Sequence, residues 1–254
     1  MRKTTIIKGM TGFLVAIAGW ELVRATGAID PRSLPGIGAI AQSMISDLAS
    51  SDGLTPAVLA TLRIWAFGLL IASVLGTAVG ITLALSPVLE TATRPIIEFL
   101  RPIPSVALIP VALLVLGIGL SMHLFMIVFA AIWPVIFSAK AGVEDVDPRQ
   151  LETGRVFGLS RPASIWRIVL PAALPNIATG IRTASAIALV LTITVEMLVG
   201  RPGIGSFLEN MRLNGLVTEM WSAILLTGIV GYLVNGLFMM IEKRLIPWSA
   251  EHHV

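Results

Sequence analysis

Residues 102–139, PIPSVALIPVALLVLGIGLSMHLFMIVFAAIWPVIFSA, hold a single side chain able to carry charge, His123. About 20 apolar residues in a helix cross the roughly 30 Å of hydrocarbon in a bilayer. The run is long enough for two crossings, and Gly117-Ile118-Gly119 near its middle supplies the turn between them. Pro102, Pro104 and Pro110 each lack an N–H donor and restrict the residue before them. The first crossing therefore starts kinked or partly irregular, which is tolerable only where protein shields it from lipid. Pro134 is placed to bend the second.

The same pattern extends in both directions. Ile64 to Leu89 has no charged residue, and Met220 to Ile241 is a further uncharged run between Glu219 and Glu242. Two weaker runs are Gly9 to Ala25, with Glu21 and Arg24, and Ala172 to Leu198, with Arg182 and Glu196. Only 13% of the residues are charged, where a soluble chain averages about a quarter. The chain thus reads as one all-α polytopic membrane domain over 1–254, with six transmembrane helices at 9–25, 58–85, 102–118, 121–139, 172–198 and 221–241. Gly76 and Gly80 give the second span a small-xxx-small face for close helix packing.

Lysine and arginine set the orientation. With the N-terminus inside, twelve fall in inner segments and only Arg24, Arg32, Arg201 and Arg212 in outer ones. Both termini are therefore expected on the cytoplasmic side of a bacterial inner membrane. The basic start resembles a signal peptide, but it lacks a clear small-residue cleavage site and five more spans follow, so it reads as an uncleaved first helix. The net charge of +3 forms no dense basic stripe, which argues against nucleic acid. With no cysteine, neither disulfides nor a thiolate metal site can form. Solitary His123 reads as non-catalytic, and no metal site or catalytic residues are expected.

The longest inner segment, 142–171, carries helix signals. Asp147, Pro148 and Gln150 read as N-cap, first helical residue and capping-box partner of a helix to about Phe157, which Gly158 ends at positive φ. Ser160 then caps a second short helix running through Arg161, Pro162 and Ala163 to Leu170, before Pro171. Its apolar residues, among them Leu151, Val156, Phe157, Leu159 and Trp166, exceed what a 30-residue loop can cover, so some face a partner. An amphipathic hairpin lying on lipid headgroups is the alternative, but lipid requires no glycine-hinged geometry.

The spacing Glu152, Gly158 and Ile168-Val-Leu170-Pro171 resembles the cytoplasmic "EAA" loop of permease subunits in binding-protein-dependent ABC importers. Thr153 and Gly154 stand where the family has alanines, and Gly154 costs about 1 kcal/mol of helix propensity. The resemblance runs over roughly residues 9–248 and is strongest to the nitrate/sulfonate/taurine/bicarbonate branch. The supporting stretches are Phe99-Leu-Arg-Pro-Ile-Pro-Ser-Val-Ala-Leu-Ile-Pro110, Phe157-Gly-Leu-Ser160, Val169-Leu-Pro-Ala-Ala-Leu-Pro175 and Glu196-Met-Leu-Val-Gly-Arg-Pro-Gly-Ile-Gly205.

The resemblance implies the small type I importer architecture, a homodimer (or a heterodimer with a similar permease) and a periplasmic or lipid-anchored solute-binding protein. It also implies a cytoplasmic ABC ATPase dimer holding ATP and Mg2+. The chain itself has no GxxxxGK loop and is expected to bind no cofactor and to be no enzyme. Glu152, Arg155, Gly158, Leu159, Ser160 and Arg161 become ATPase-coupling residues. Arg182, Thr183, Ser185, Thr192 and Thr194 are pathway or gate candidates, with structural pairing of Arg182 and back-bonding of the hydroxyls as alternatives. Gly200-Arg-Pro-Gly-Ile-Gly205 reads as an outer turn before a short helix from Ser206 to Arg212, placing Arg201, Gly203 and Gly205 where a binding protein docks. The branch points to a small anion such as a sulfonate, taurine or nitrate. An aromatic carboxylate, vitamin precursor or osmolyte remains open, as does a secondary transporter, although no internal repeat or midspan carboxylate supports the last.

Overall fold

The computed structural model describes residues 2–30, 32–51 and 53–246, with side chains from Lys8 onward; residues 1, 31, 52 and 247–254 of the expected domain lie outside them. Every regular element among the described residues is helical: α1 (Arg2–Ala25), α2 (Ile37–Ala49), α3 (Leu54–Leu85), α4 (Pro87–Leu100), α5 (Ile109–Leu116), α6 (Leu120–Glu144), α7 (Pro148–Val156), α8 (Arg161–Ser164), α9 (Leu170–Val199), α10 (Ile204–Leu213) and α11 (Val217–Leu245). Among these residues four helices are long and apolar enough to cross a bilayer: α3, α6, α11 and a continuous helix from Arg161 to Val199. A fifth crossing results if α4 and the 105–116 segment are one span bent by 84°.

That bend corrects the third expected span. No single helix covers 102–118: a 3₁₀ turn at Ser105–Leu108 leads into α5, which has only eight residues. Pro102 and Pro104 deny two consecutive turns their donors. Pro110 lies in the first turn of α5, where a missing N–H costs nothing. The irregular start expected from these prolines is present, and it extends further into the span than the sequence suggested. Pro134, by contrast, sits inside an unbroken α6.

The bundle is organised around α6, which lies between α3 and α9. A Cβ on Gly80 of α3 would come within 2.5 Å of the Ile136 carbonyl oxygen and 2.8 Å of the Ala139 Cβ. One on Gly180 of α9 would meet Ser138 Cβ at 2.5 Å. Backbones approach this closely only across small residues, the usual basis of helix association where lipid removes the hydrophobic drive. Around these contacts Trp65, Leu69, Ile127, Ala131, Ala188 and Leu226 form the main core. Trp65 Nε1 satisfies its donor on the Ser185 carbonyl at 3.0 Å.

Helix α2 lies in a segment for which the sequence reading gave no element. Its apolar residues Ile37, Ile40, Met44 and Leu48 recur at helical spacing, with Ile40 buried and Met44 and Leu48 packed on the core. It joins the end of the bundle opposite the 142–171 segment: Ser222 Oγ of α11 donates to Asp47 at 3.1 Å.

Candidate functional site

At one end of the bundle α7 and α8 form the hairpin expected from the sequence. Asp147 caps α7 by accepting from the Arg149 amide at 2.9 Å. The helix closes in a Schellman motif: Gly158 N–H donates to the Arg155 carbonyl and Leu159 N–H to the Gly154 carbonyl, both at 2.9 Å. Gly158 has φ of +74°, the left-handed conformation this closure requires. Gly154 is buried, and a Cβ there would come within 2.6 Å of Ile168 Cδ1, the far end of that side chain. Leu159 folds back over the same spot. Glu152, Arg155, Ser160 and Arg161 are exposed, and among the described residues neither Glu152 nor Arg155 is in an ion pair. Val156, Phe157 and Trp166 are 84%, 80% and 71% exposed, an apolar surface with no partner among the described residues.

The second helix does not stop before Pro171. Residues Ile165–Val169 form a wide π turn, with Leu170 N–H donating to the Ile165 carbonyl, and the chain enters α9 without a break. Pro171 brings no donor, and its ring would clash with the carbonyl four residues back; the wider turn accommodates both. The second arm of the hairpin is therefore the end of a 39-residue rod that traverses the bundle.

Midway along that rod, α9 and α11 border an open cleft of about 420 Å³ lined by Arg182, Ser185, Val190, Thr194, Thr227 and Asn235, among others. Arg182 Nη1 lies 3.4 Å from Glu242 Oε2. Of the pathway candidates, Arg182, Ser185 and Thr194 share this cleft. Thr183 does not line it, and Thr192 is fully buried. The hydroxyls of Thr183, Thr192 and Thr194 donate to their own helix four residues back, at 3.0, 2.7 and 2.8 Å.

At the far end of the rod Gly200 takes φ of +69° and turns the chain into α10. Gly203 and Gly205 are buried beneath Glu196 of α9 and present no surface of their own, while Arg201 is half-buried. The exposed groups here include Pro202, Asn210, Arg212, Leu213 and Leu216. Arg212 donates to Glu209 at 2.6 and 2.8 Å and holds that carboxyl below the usual range. His123 is buried nearby, its Nε2 3.3 Å from the Thr192 carbonyl oxygen, and among the described residues no cluster of metal-ligating side chains forms.

A sequence model described as "Binding-protein-dependent transport system inner membrane component" matches residues 72–248, which include the hairpin, the rod and the outer turn. The chain belongs to this family. It is a permease component of an ABC importer, a non-catalytic membrane subunit, and falls in the nitrate/sulfonate/taurine/bicarbonate-type branch. The permease is 33% identical over 198 residues to the nitrate import permease protein NrtB of Leptolyngbya laminosa, covering 78% of this chain and 71% of that one. It is 28% identical over 255 residues to the taurine transport system permease protein TauC of Escherichia coli, covering 98% and 92%. It is 30% identical over 249 residues to the bicarbonate transport system permease protein CmpB of Synechocystis, covering 95% and 88%. In fold it resembles a chain of the MetNI methionine ABC transporter, with a TM-score of 0.67 at 20% identity over 75% of this chain and 95% of that one. A bacterial alginate ABC transporter chain gives the same TM-score at 14% identity over 93% and 94%.

Four positions in this permease lie outside the candidates its sequence suggests. In the sequence Glu242 marks only the boundary of the last span, yet it pairs with Arg182 across 60 positions. Asn235 and Thr227 are polar residues eight apart in a largely apolar run, a signal present in the sequence. Thr61 hydrogen-bonds Glu196 across 135 positions, and nothing local indicates that pairing.

Proposed function

We propose that this permease imports a small oxyanion and is driven by a separate cytoplasmic ATPase dimer that docks on the α7–α8 hairpin. The reading rests on one observation above all: the second arm of the hairpin and the cleft at Arg182 belong to one uninterrupted helix. In this reading six crossings form, with α1 and the bent α4–α5 pair as two of them and both termini in the cytoplasm. Two permease copies face each other across the pathway, and a periplasmic or lipid-anchored binding protein delivers solute at the α10 end. ATP and Mg2+ act in the partner subunits. Closure of the ATPases shifts the hairpin as a rigid body, the Arg161–Val199 rod tilts with it, and the cleft exchanges an outward for an inward opening. Glu152, Arg155, Gly158, Leu159, Ser160 and Arg161 form the coupling surface.

The substrate class is supported by relatives named for nitrate, taurine and bicarbonate import, whose solutes share a singly charged oxyanion group. Arg182 supplies the matching cation. Its pairing with Glu242 leaves the cleft nearly neutral, which suits passage: a site must admit the ion and also release it. Selection then lies mainly with the binding protein.

The test is ATP hydrolysis by the permease reconstituted with its ATPase and binding protein, measured against a panel of oxyanions, carboxylates and neutral solutes. Stimulation by one oxyanion, lost in Glu152→Ala, is the expected result. An intact complex stimulated only by a neutral solute refutes the substrate class, and one stimulated by none refutes the importer reading.

A further inference from the structure

Helix α10 begins at Ile204, and its N-cap, Gly203, has no side chain with which to satisfy the first amides. Those amides are instead capped from two other helices. Ile204 N–H donates to Thr61 Oγ1 of α3 at 2.9 Å, and Gly205 N–H donates to Glu196 Oε2 of α9 at 3.0 Å. Thr61 Oγ1 in turn donates to the same Glu196 oxygen at 2.9 Å. The Glu196 side chain is fully buried, its second oxygen has no partner among the described residues, and no lysine or arginine pairs with it there.

A carboxyl buried without a counter-ion is an expensive way to fill space. Here it sits at the positive end of α10 and accepts two hydrogen bonds that no apolar residue can replace. The surrounding glycines are cut to fit it: a Cβ on Gly203 would overlap the Glu196 carboxyl, and one on Gly205 would overlap the Ile193 carbonyl. Three helices thus converge on one carboxyl, and α10 cannot shift without moving α3 or α9.

We infer that Glu196 is the positioning residue that transmits docking of the binding protein on α10 to the membrane helices. The inference rests on the reading that this end of the bundle faces the binding protein. Glu196 lies near the last turn of the same Arg161–Val199 rod whose first turns form the second arm of the coupling hairpin. At 1.5 Å per residue Arg161 and Glu196 are about 53 Å apart along one helix. A force on α10 is therefore delivered through Glu196 to the rod that contacts the ATPase.

The experiment compares Glu196→Ala, Glu196→Gln and Thr61→Val in the full permease–ATPase complex in nanodiscs. Hydrolysis is measured with and without liganded binding protein, together with complex yield and binding-protein affinity. Gln keeps one accepting oxygen in place and is expected to retain stimulation. Ala loses both hydrogen bonds to the carboxyl and is expected to lower stimulation at least about tenfold, with basal hydrolysis and yield unchanged. If Ala prevents assembly, Val decides, since it keeps the shape of Thr61 and removes only the hydroxyl; the same loss of stimulation at normal yield is expected. Full stimulation in Ala, or in Val where Ala does not assemble, overturns the inference. So does a fall of basal and stimulated hydrolysis in parallel. A wild-type complex that binding protein never stimulates would instead sink the importer reading on which the inference rests.

Discussion

Replacing Gly158 separates two reasons for a glycine in the coupling hairpin. The residue sits at φ of +74°, and a Cβ there would meet nothing within 4 Å in this chain. Substitution therefore leaves packing within the chain intact and acts on the backbone alone. An L-residue other than Asn or Asp in the left-handed region costs about 1–2 kcal/mol, which is roughly a 5–30-fold shift away from the closed hairpin. Escape to negative φ would break the Gly158 and Leu159 amide bonds to the Arg155 and Gly154 carbonyls. Asn tolerates the left-handed region, Ala less well, and β-branched Val least.

The expected order of solute-stimulated hydrolysis is Gly, then Asn, then Ala, then Val, and amide exchange at Leu159 should accelerate in the same order. Were the glycine needed instead because the ATPase backbone approaches it closely, size would rule, and Ala would outperform the larger Asn. Finding Ala above Asn, with Leu159 exchange unchanged across the series, would refute the backbone argument.

Gly80→Ala drives a methyl group against the Ile136 carbonyl oxygen, which cannot rotate away. It should destabilise the permease by about 1–3 kcal/mol. Gly38→Ala, in open space on α2, should be neutral or stabilising; thermal scans of tryptophan fluorescence distinguish the two. Gly154→Ala is expected to weaken coupling through its contact with Ile168 Cδ1, and Ile168→Val, which removes that methyl, should restore it in the ATPase assay. Glu242→Gln frees the Arg182 cation and should lower both the KM for the oxyanion and the transport turnover, seen in proteoliposome uptake. The Glu209–Arg212 pair, whose carboxyl titrates below its ordinary value, steadies α10 above the usual carboxylate pKa. That support disappears as pH falls through the lowered value, so α10 amide exchange should quicken only in strong acid.

The sequence by itself determined the class of fold, the main crossings and the coupling hairpin. Each of these depends on local physics: an uncharged run long enough for hydrocarbon, the Asp147-Pro148 helix start, the left-handed Gly158. It also contained the prolines that break the third crossing, although the 84° bend had to be seen. What only the tertiary structure decided involves residues far apart in the chain. Whether Pro171 ends a helix depends on whether the preceding turn can widen, and the wide turn at 165–169 makes the second arm of the hairpin and the span a single rod. Arg182 acquires its meaning from Glu242, and Glu196 from Thr61 and the amides of α10. Burial creates those pairings, because a polar group withdrawn from water must find its partner wherever the fold brings one, and sequence spacing carries no record of that distance.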